Sequence, residues 1–545
     1  MQREVIKANI VVFIASFCTL VIELVAGRIM APYVGVSLYT WTSIIGVVLA
    51  GISIGAYLGG RIADRYPRSS TLGWLLFLSG LGAFSISPLT NLIGGAQFHT
   101  SLMTRILLIT TFIFFVPSCL LGMISPIVVK LTLNNLEKTG NVVGKIYAFS
   151  TLGSILGTFA TGFYLISWMG TRYILLTMGF ILILSAFIFG GFFRSKKTFA
   201  LFFLFLFLSA LLPFVGLHVY ATTHPEEFSF PTSPIESIKK MVGYAFTFPL
   251  EEETYFFKES DYYAIKLKKS IRGNNGNPLE SLVLDHLVHS YTDLKDPFYL
   301  EYEYIRMYEE MVGWQAKERK SLKILFLGGG GYTFPRFIEA KYPQAEIHVV
   351  EIDPEITRVV NKYLGVSDHT KIRSFNEDGR WFVMNCKEKG TYDFIFGDAF
   401  NDLSIPYHLT TKEFAMQLKS LLKPDGLLLA NVIDSFKKGA FMPSYIRTLE
   451  EVFGKGNVHL MTLISDYERI GISTCVVVAS PQKLEMDDFV RAVKTKGGEM
   501  TSHVMPQDRL QEYLKERTSV ILTDDYVPVD NLIAPIFEER FGYRQ

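Results

Sequence analysis

The sequence predicts two structural classes in one chain. An α-helical polytopic membrane domain over residues 1–220 is followed by an α/β module, in which a small antiparallel sheet precedes a parallel sheet covered by helices. Three observations carry this reading. Seven apolar runs fill the first 220 residues; charge is divided unequally, with 14 Lys+Arg against 4 Asp+Glu up to residue 220 and 39 against 48 after it; and strand and helix patterns alternate from about residue 320 onward. Of the 545 residues 49% are hydrophobic and only 19% charged, below the quarter typical of soluble domains. A wholly soluble chain is excluded on that ground. The four cysteines, Cys18, Cys119, Cys386 and Cys475, lie far apart, with neither a disulfide framework nor paired metal-ligand spacing.

A bilayer-crossing helix needs about 20 mostly apolar residues. Runs of that kind lie at 9–27, 40–60, 72–94, 106–129, 146–168, 173–193 and 198–219. The start, MQREVIK, is charged like a signal peptide, but no small-residue cleavage site follows and further spans do, so it is expected to be retained. Gly51, Gly55 and Gly59, echoed by Gly153 and Gly157, form ladders that let helix backbones approach closely. Glu23, with Arg28 five residues on, is costly at membrane depth unless paired or watered, and reads either as an ion pair or as part of a pocket. Basic clusters follow the second run (Arg61, Arg65, Arg68), the fourth (Lys130, Lys138, Lys145) and the sixth (Arg194, Lys196, Lys197). The positive-inside rule then puts the N-terminus in the cytoplasm of a multi-pass protein of the cell membrane. Seven spans would place everything after residue 220 outside, which leaves the side of the second half uncertain.

Residues 221–253, with Pro225, Pro231, Pro234 and Pro249, read as a linker. From 254 to 292 two alternating stretches flank the turn-rich RGNNGNP, a hairpin pattern that predicts the small antiparallel sheet. The remainder, 293–545, opens with the strand LKILFLG, a helix near 334–342, and the strand AEIHVVEID. A helix near 355–364, the strand KIRSF, a helix near 379–388, YDFIFGD, a helix near 411–422 and GLLLANVID follow. Such alternation builds a parallel sheet, and ligands in that architecture lie at the carboxyl ends of the strands near the switch in strand order.

The residues at those ends are chemically specific. The first strand runs into Gly328, Gly329, Gly330 and Gly331, which permit close approach of backbone to a ligand; the spacing is not GxGxxG and no GK[ST] follows. The second ends at Glu351, about 20 residues on, where an acid can accept both hydroxyls of a ribose. Asp378, before Gly379, can accept from an adenine amino group or cap a helix. The fourth strand ends in YDFIFGDAFNDLSIPYH, which puts Asp398 and Asp402 at the mouth with Pro406 and Tyr407 beyond. A carboxylate cluster beside a nucleoside suits a cationic amine, which it attracts and can deprotonate.

Read together, ESDYYAIKL, LVLDHLVHSY, ILFLGGGGYTF, VVEIDPEI, NEDGRWF, FIFGDAFNDLSIPYHLTTKEF, LLKPDGLLLANV and ILTDDYVPVDNL resemble the spermidine synthase family, the polyamine aminopropyltransferases. The resemblance covers roughly 255–535; with IELVAGRIMAPYVG and GISIGAYLGGRIADR it extends to the version fused to a membrane domain. It implies a Rossmann-like fold of the spermidine synthase and S-adenosylmethionine methyltransferase type. It also implies transfer of an aminopropyl group from decarboxylated S-adenosylmethionine to a polyamine such as putrescine, with methylthioadenosine as product and no metal. By position, Glu351 would bind the ribose, Asp378 and Gly379 the adenine, and Asp398 would be the proton acceptor that also holds the amine. Pro406 would line the nucleoside pocket with Gly328 and Gly329, and Asp402 and Tyr407 would join Asp398 on the substrate. His289 falls where soluble members have a Gln. Soluble members carry GGGDG, whose Asp helps grip the aminopropyl or amine end; here Gly331 takes its place, followed by Tyr332. Leu300 and Glu301 align with their Tyr-His pair.

Two further classes stand beside this one: a methyltransferase using S-adenosylmethionine itself, and a non-catalytic sensor or a transporter regulated by its soluble half. The expected partners are a small amine and membrane lipid, with a homo-oligomer left open. The acidic second half lacks a basic stripe interleaved with aromatics, so nucleic acid is not expected.

Overall fold

The computed structural model describes residues 2–35, 37–94, 102–133, 139–191, 250, 253–316, 319, 321–399, 405–495 and 501–541. The chain divides into two compact units, Met1–Glu251 and Glu252–Gln545.

Among the described residues of the first unit, six helices are long and apolar enough to cross a membrane: Glu4–Val34, Leu38–Arg65, Ser69–Ile93, Met103–Thr132, Thr139–Leu165 and Thr171–Phe189. They coincide with the first six apolar runs; the seventh, 198–219, lies outside the described residues. The glycine ladders seat backbone against backbone. A Cβ on Gly55 would stand 2.1 Å from the Cys119 carbonyl oxygen, and one on Gly153 would stand 2.3 Å from that of Phe13, so only glycine permits these approaches. Arg172, 5% exposed, donates to Ser87 Oγ and Asn91 Oδ1, each at 2.7 Å, a polar tie between two helices that the hydropathy pattern does not signal.

The second unit opens with four antiparallel strands in the order β1 (Thr254–Glu259), β2 (Ala264–Arg272), β3 (Pro278–Leu284) and β4 (Leu287–Asp293). An eight-stranded sheet follows. Its parallel part consists of β5 (Lys323–Leu327), β6 (Glu346–Val350), β7 (Ile372–Phe375), β8 (Tyr392–Gly397) and β9 (Leu422–Ser435). Short apolar cores such as ILFL and FIF form these strands because helices cover both faces of the sheet. Three further strands, β10 (Val458–Thr462), β11 (Ile472–Ala479) and β12 (His503–Val504), extend it antiparallel beyond β9, giving the order β12-β10-β11-β9-β8-β5-β6-β7. From β5 the chain winds outward through β6 and β7, then returns to place β8 on the other side of β5. That reversal between β5 and β8 opens the cleft where such sheets bind ligands.

Candidate active site

Each residue at the cleft is placed by a local device. Gly328, at the end of β5, has φ +96°, and a Cβ there would lie 2.2 Å from the carbonyl oxygen of Asp398; glycine lets the ends of β5 and β8 meet. Asp353 caps the helix Pro354–Tyr363 by accepting from the Glu355 N–H at 2.9 Å. Its other oxygen accepts from Ser260 Oγ, which pins the β1–β2 turn, and with it Tyr262 and Tyr263, to the parallel sheet.

A cavity of about 150 Å³ at the reversal is lined by His289, Gly328, Glu351, Asp378, Gly379, Asp398 and Pro406, together with Tyr262, Tyr263 and His408. Seven of the sequence-predicted residues therefore meet in one place. Gly329 lines a second, smaller cavity that shares Asp398, His289 and Gly328 with the first. Tyr407 lines neither: its side chain is 61% exposed, and the next residue, His408, turns toward the cavity instead. Asp402 lies outside the described residues.

The three acids sit in different electrostatic settings. Glu351, 5% exposed, accepts from the Gly329 N–H at 2.9 Å and the Asp353 N–H at 3.0 Å. Burial pushes its carboxyl above the usual range, and the backbone donors only partly offset this. Asp378 is a helix N-cap, accepting from the N–H groups of Arg380 and Trp381 at 2.9 and 3.0 Å, and pairs with His408 Nε2 at 2.7 Å. Burial opposes ionisation there, but the Trp381 N–H, His408 and the Arg380 N–H together hold it below its ordinary value. The cap and the cavity wall are the same residue.

Asp398 faces both cavities. Its Oδ2 accepts from the Tyr304 hydroxyl at 2.9 Å and its Oδ1 from Asn431 Nδ2 at 2.8 Å. Burial raises its carboxyl above the ordinary range, while the two donors pull it partly back. The Tyr304 phenol is pushed far up, first by burial and then by the Asp398 charge, so it remains a donor. Such a group is more basic than a solvated carboxylate and held in one orientation, which equips it to take a proton. Neither Tyr304 nor Asn431 was singled out from sequence, although the stretch LLLANV that contains Asn431 was. Leu300 and Glu301 do not line either cavity; the tyrosine at Asp398 is Tyr304, in the first turn of the helix Glu303–Ala316.

Residues 303–485 match the family described as "Spermine/spermidine synthase domain". Polyamine aminopropyltransferase 2 of Aquifex aeolicus (strain VF5) is 26% identical over 496 residues, covering 89% of this chain and 90% of that one. The eEF1A lysine and N-terminal methyltransferase of Bos taurus is 28% identical over 196 residues, 32% of this chain but only 26% of its own. The crystal structure of a probable spermidine synthase from Corynebacterium glutamicum ATCC 13032 superposes with a TM-score of 0.42 at 21% identity, over 50% of this chain and 97% of that one. Residues 303–485 therefore form a spermine/spermidine synthase domain, and the chain is a transferase.

Proposed function

We propose that the protein is a membrane-embedded polyamine aminopropyltransferase that moves the aminopropyl group of decarboxylated S-adenosylmethionine to an amine such as putrescine. The observation that carries the reading is the composition of the cleft wall. Among its described residues are three carboxylates, Glu351, Asp378 and Asp398, and no Lys or Arg. A donor that has lost its carboxylate is wholly cationic and matches such a wall; S-adenosylmethionine would bring a carboxylate with no cation to receive it. This argues against the methyltransferase reading that the bovine relative's name suggests. Likeness to the Aquifex protein along nearly its whole length supports the activity, and the six apolar helices support the membrane location.

In this reading Glu351 holds the ribose, Asp378 and Gly379 border the adenine, and Pro406, Gly328 and Gly329 shape the pocket. Asp398 holds the acceptor. The amine lone pair forms a C–N bond as the carbon–sulfur bond breaks, sulfur keeps that electron pair as neutral methylthioadenosine, and the proton released from nitrogen passes to Asp398. Alignment supplies most of the acceleration, up to about 7 to 11 kcal/mol in ideal cases.

The test uses the full chain recovered from membranes in detergent, incubated with each donor and a panel of diamines and read by mass spectrometry. Aminopropylated product and methylthioadenosine are expected from the decarboxylated donor alone. A methylated amine from S-adenosylmethionine would overturn the reading, and activity recovered wholly in the soluble fraction would overturn its membrane part.

A further inference from the structure

The second cavity, about 40 Å³, is bounded by Ser290, Tyr302, Tyr304, Gly331 and Asp398. Among its described lining residues Asp398 is the only carboxylate, and in aminopropyl transfer that group serves the attacking nitrogen. A diamine brings a second polar end that must be met by something else. Tyr304 donates its hydroxyl to Asp398, and Tyr302 donates its own to the Val288 carbonyl at 2.8 Å, so both are committed. Ser290 is different: it is 6% exposed, its Oγ has no hydrogen-bond partner, and it stands on the cavity wall. A buried hydroxyl left unsatisfied is costly, and a ligand group arriving there removes that cost. Position 331 explains why the hydroxyl can sit there. A Cβ on Gly331 would lie 1.8 Å from Ser290 Oγ, so any side chain at 331 and the present Ser290 rotamer exclude each other.

We propose that Ser290 reads the non-reacting end of the acceptor amine, as a neutral hydrogen-bonding contact in place of a second carboxylate; this rests on the aminopropyl-transfer reading above. A serine oxygen accepts from an ammonium or from a hydroxyl alike. The enzyme therefore discriminates weakly between a diamine and the amino alcohol of the same length, and both bind better than the plain alkylamine.

The experiment measures steady-state kinetics of the full chain and of Ser290→Ala with putrescine, the four-carbon amino alcohol and butylamine. In the parent, kcat/KM for the first two should agree within about tenfold. In Ser290→Ala, KM should rise about three- to tenfold for the amino alcohol, the loss of one neutral hydrogen bond, and roughly ten- to a hundredfold for putrescine, whose ammonium makes a charge-assisted one, with kcat little changed and butylamine unaffected. Gly331→Ala, which must displace Ser290, should reproduce the pattern. Equal losses for butylamine would make Ser290 merely structural, and unchanged kinetics would remove it from the site. A preference for the diamine beyond about a hundredfold would mean that a carboxylate meets the far end. Any of these three overturns the inference and leaves aminopropyl transfer standing, whereas no transfer to any amine by the parent overturns both.

Discussion

Replacing Asp398 with Asn isolates the proposed base while disturbing little else. The present carboxylate accepts from Tyr304 at 2.9 Å and from Asn431 at 2.8 Å. An Asn side chain keeps one acceptor for the first. The second contact would set two amide nitrogens against each other, but Asn431 Oδ1 is buried without a partner, so a flip of the Asn431 amide presents an acceptor to the new donor. Stability should stay within about 1 kcal/mol, the scale of a single hydrogen bond, and thermal unfolding should shift by only a few degrees. Turnover is a separate matter. A positioned base contributes roughly 10²- to 10⁴-fold, or about 2.7 to 5.5 kcal/mol of barrier, and the amide cannot accept the proton. The assay pairs aminopropyl product formation with calorimetric affinity for methylthioadenosine on the same preparation. Turnover should collapse while nucleoside affinity stays within about threefold, because the proposed reading assigns the uncharged nucleoside to Glu351 and Asp378. Turnover within tenfold of the parent in the folded variant would refute the assignment, and a matched loss of nucleoside binding would show that Asp398 shapes the pocket instead.

Two further outcomes follow from the same geometry. In Tyr304→Phe the carboxylate loses a donor that favours its charged form, so its already raised pKa should rise further; the acidic limb of the kcat/KM profile should move to higher pH, and an unmoved limb would uncouple Tyr304 from the base. Glu351→Ala removes the ribose acceptor proposed here and the acceptor for the Gly329 N–H, so methylthioadenosine affinity measured by calorimetry should fall by roughly 1.5 to 3 kcal/mol; unchanged affinity in a folded variant would exclude it from the pocket.

Much of the parallel sheet was legible because its signals are local. The apolar cores of β5, β6 and β8 are continuous over a few residues, and the residue ending each strand is fixed by chain position. Hence Gly328, Glu351 and Asp398 could be placed at one mouth before any contact was known. Gly331 stood out by a different route, as a departure from the GGGDG of the family that the sequence resembles. The antiparallel strands β10 to β12 escaped notice because their short runs follow no βα rhythm, and β12 has only two residues.

By itself, then, the sequence determined which half of the chain is apolar enough for a membrane, where the parallel strands end, and which acids stand there. These follow from hydrophobic periodicity and composition, which neighbouring residues express together. Tertiary structure alone decided how those acids are dressed. Tyr304 reaches Asp398 across 94 positions and His408 reaches Asp378 across 30. No local pattern encodes such meetings. The contrast between a raised Asp398 and a lowered Asp378 arises from burial and donor count, quantities that exist only once distant segments are packed against each other. The exchange between Ser290 and Gly331 is of the same kind: two unremarkable small residues 41 positions apart become one feature because the folded chain allows room for only one side chain between them.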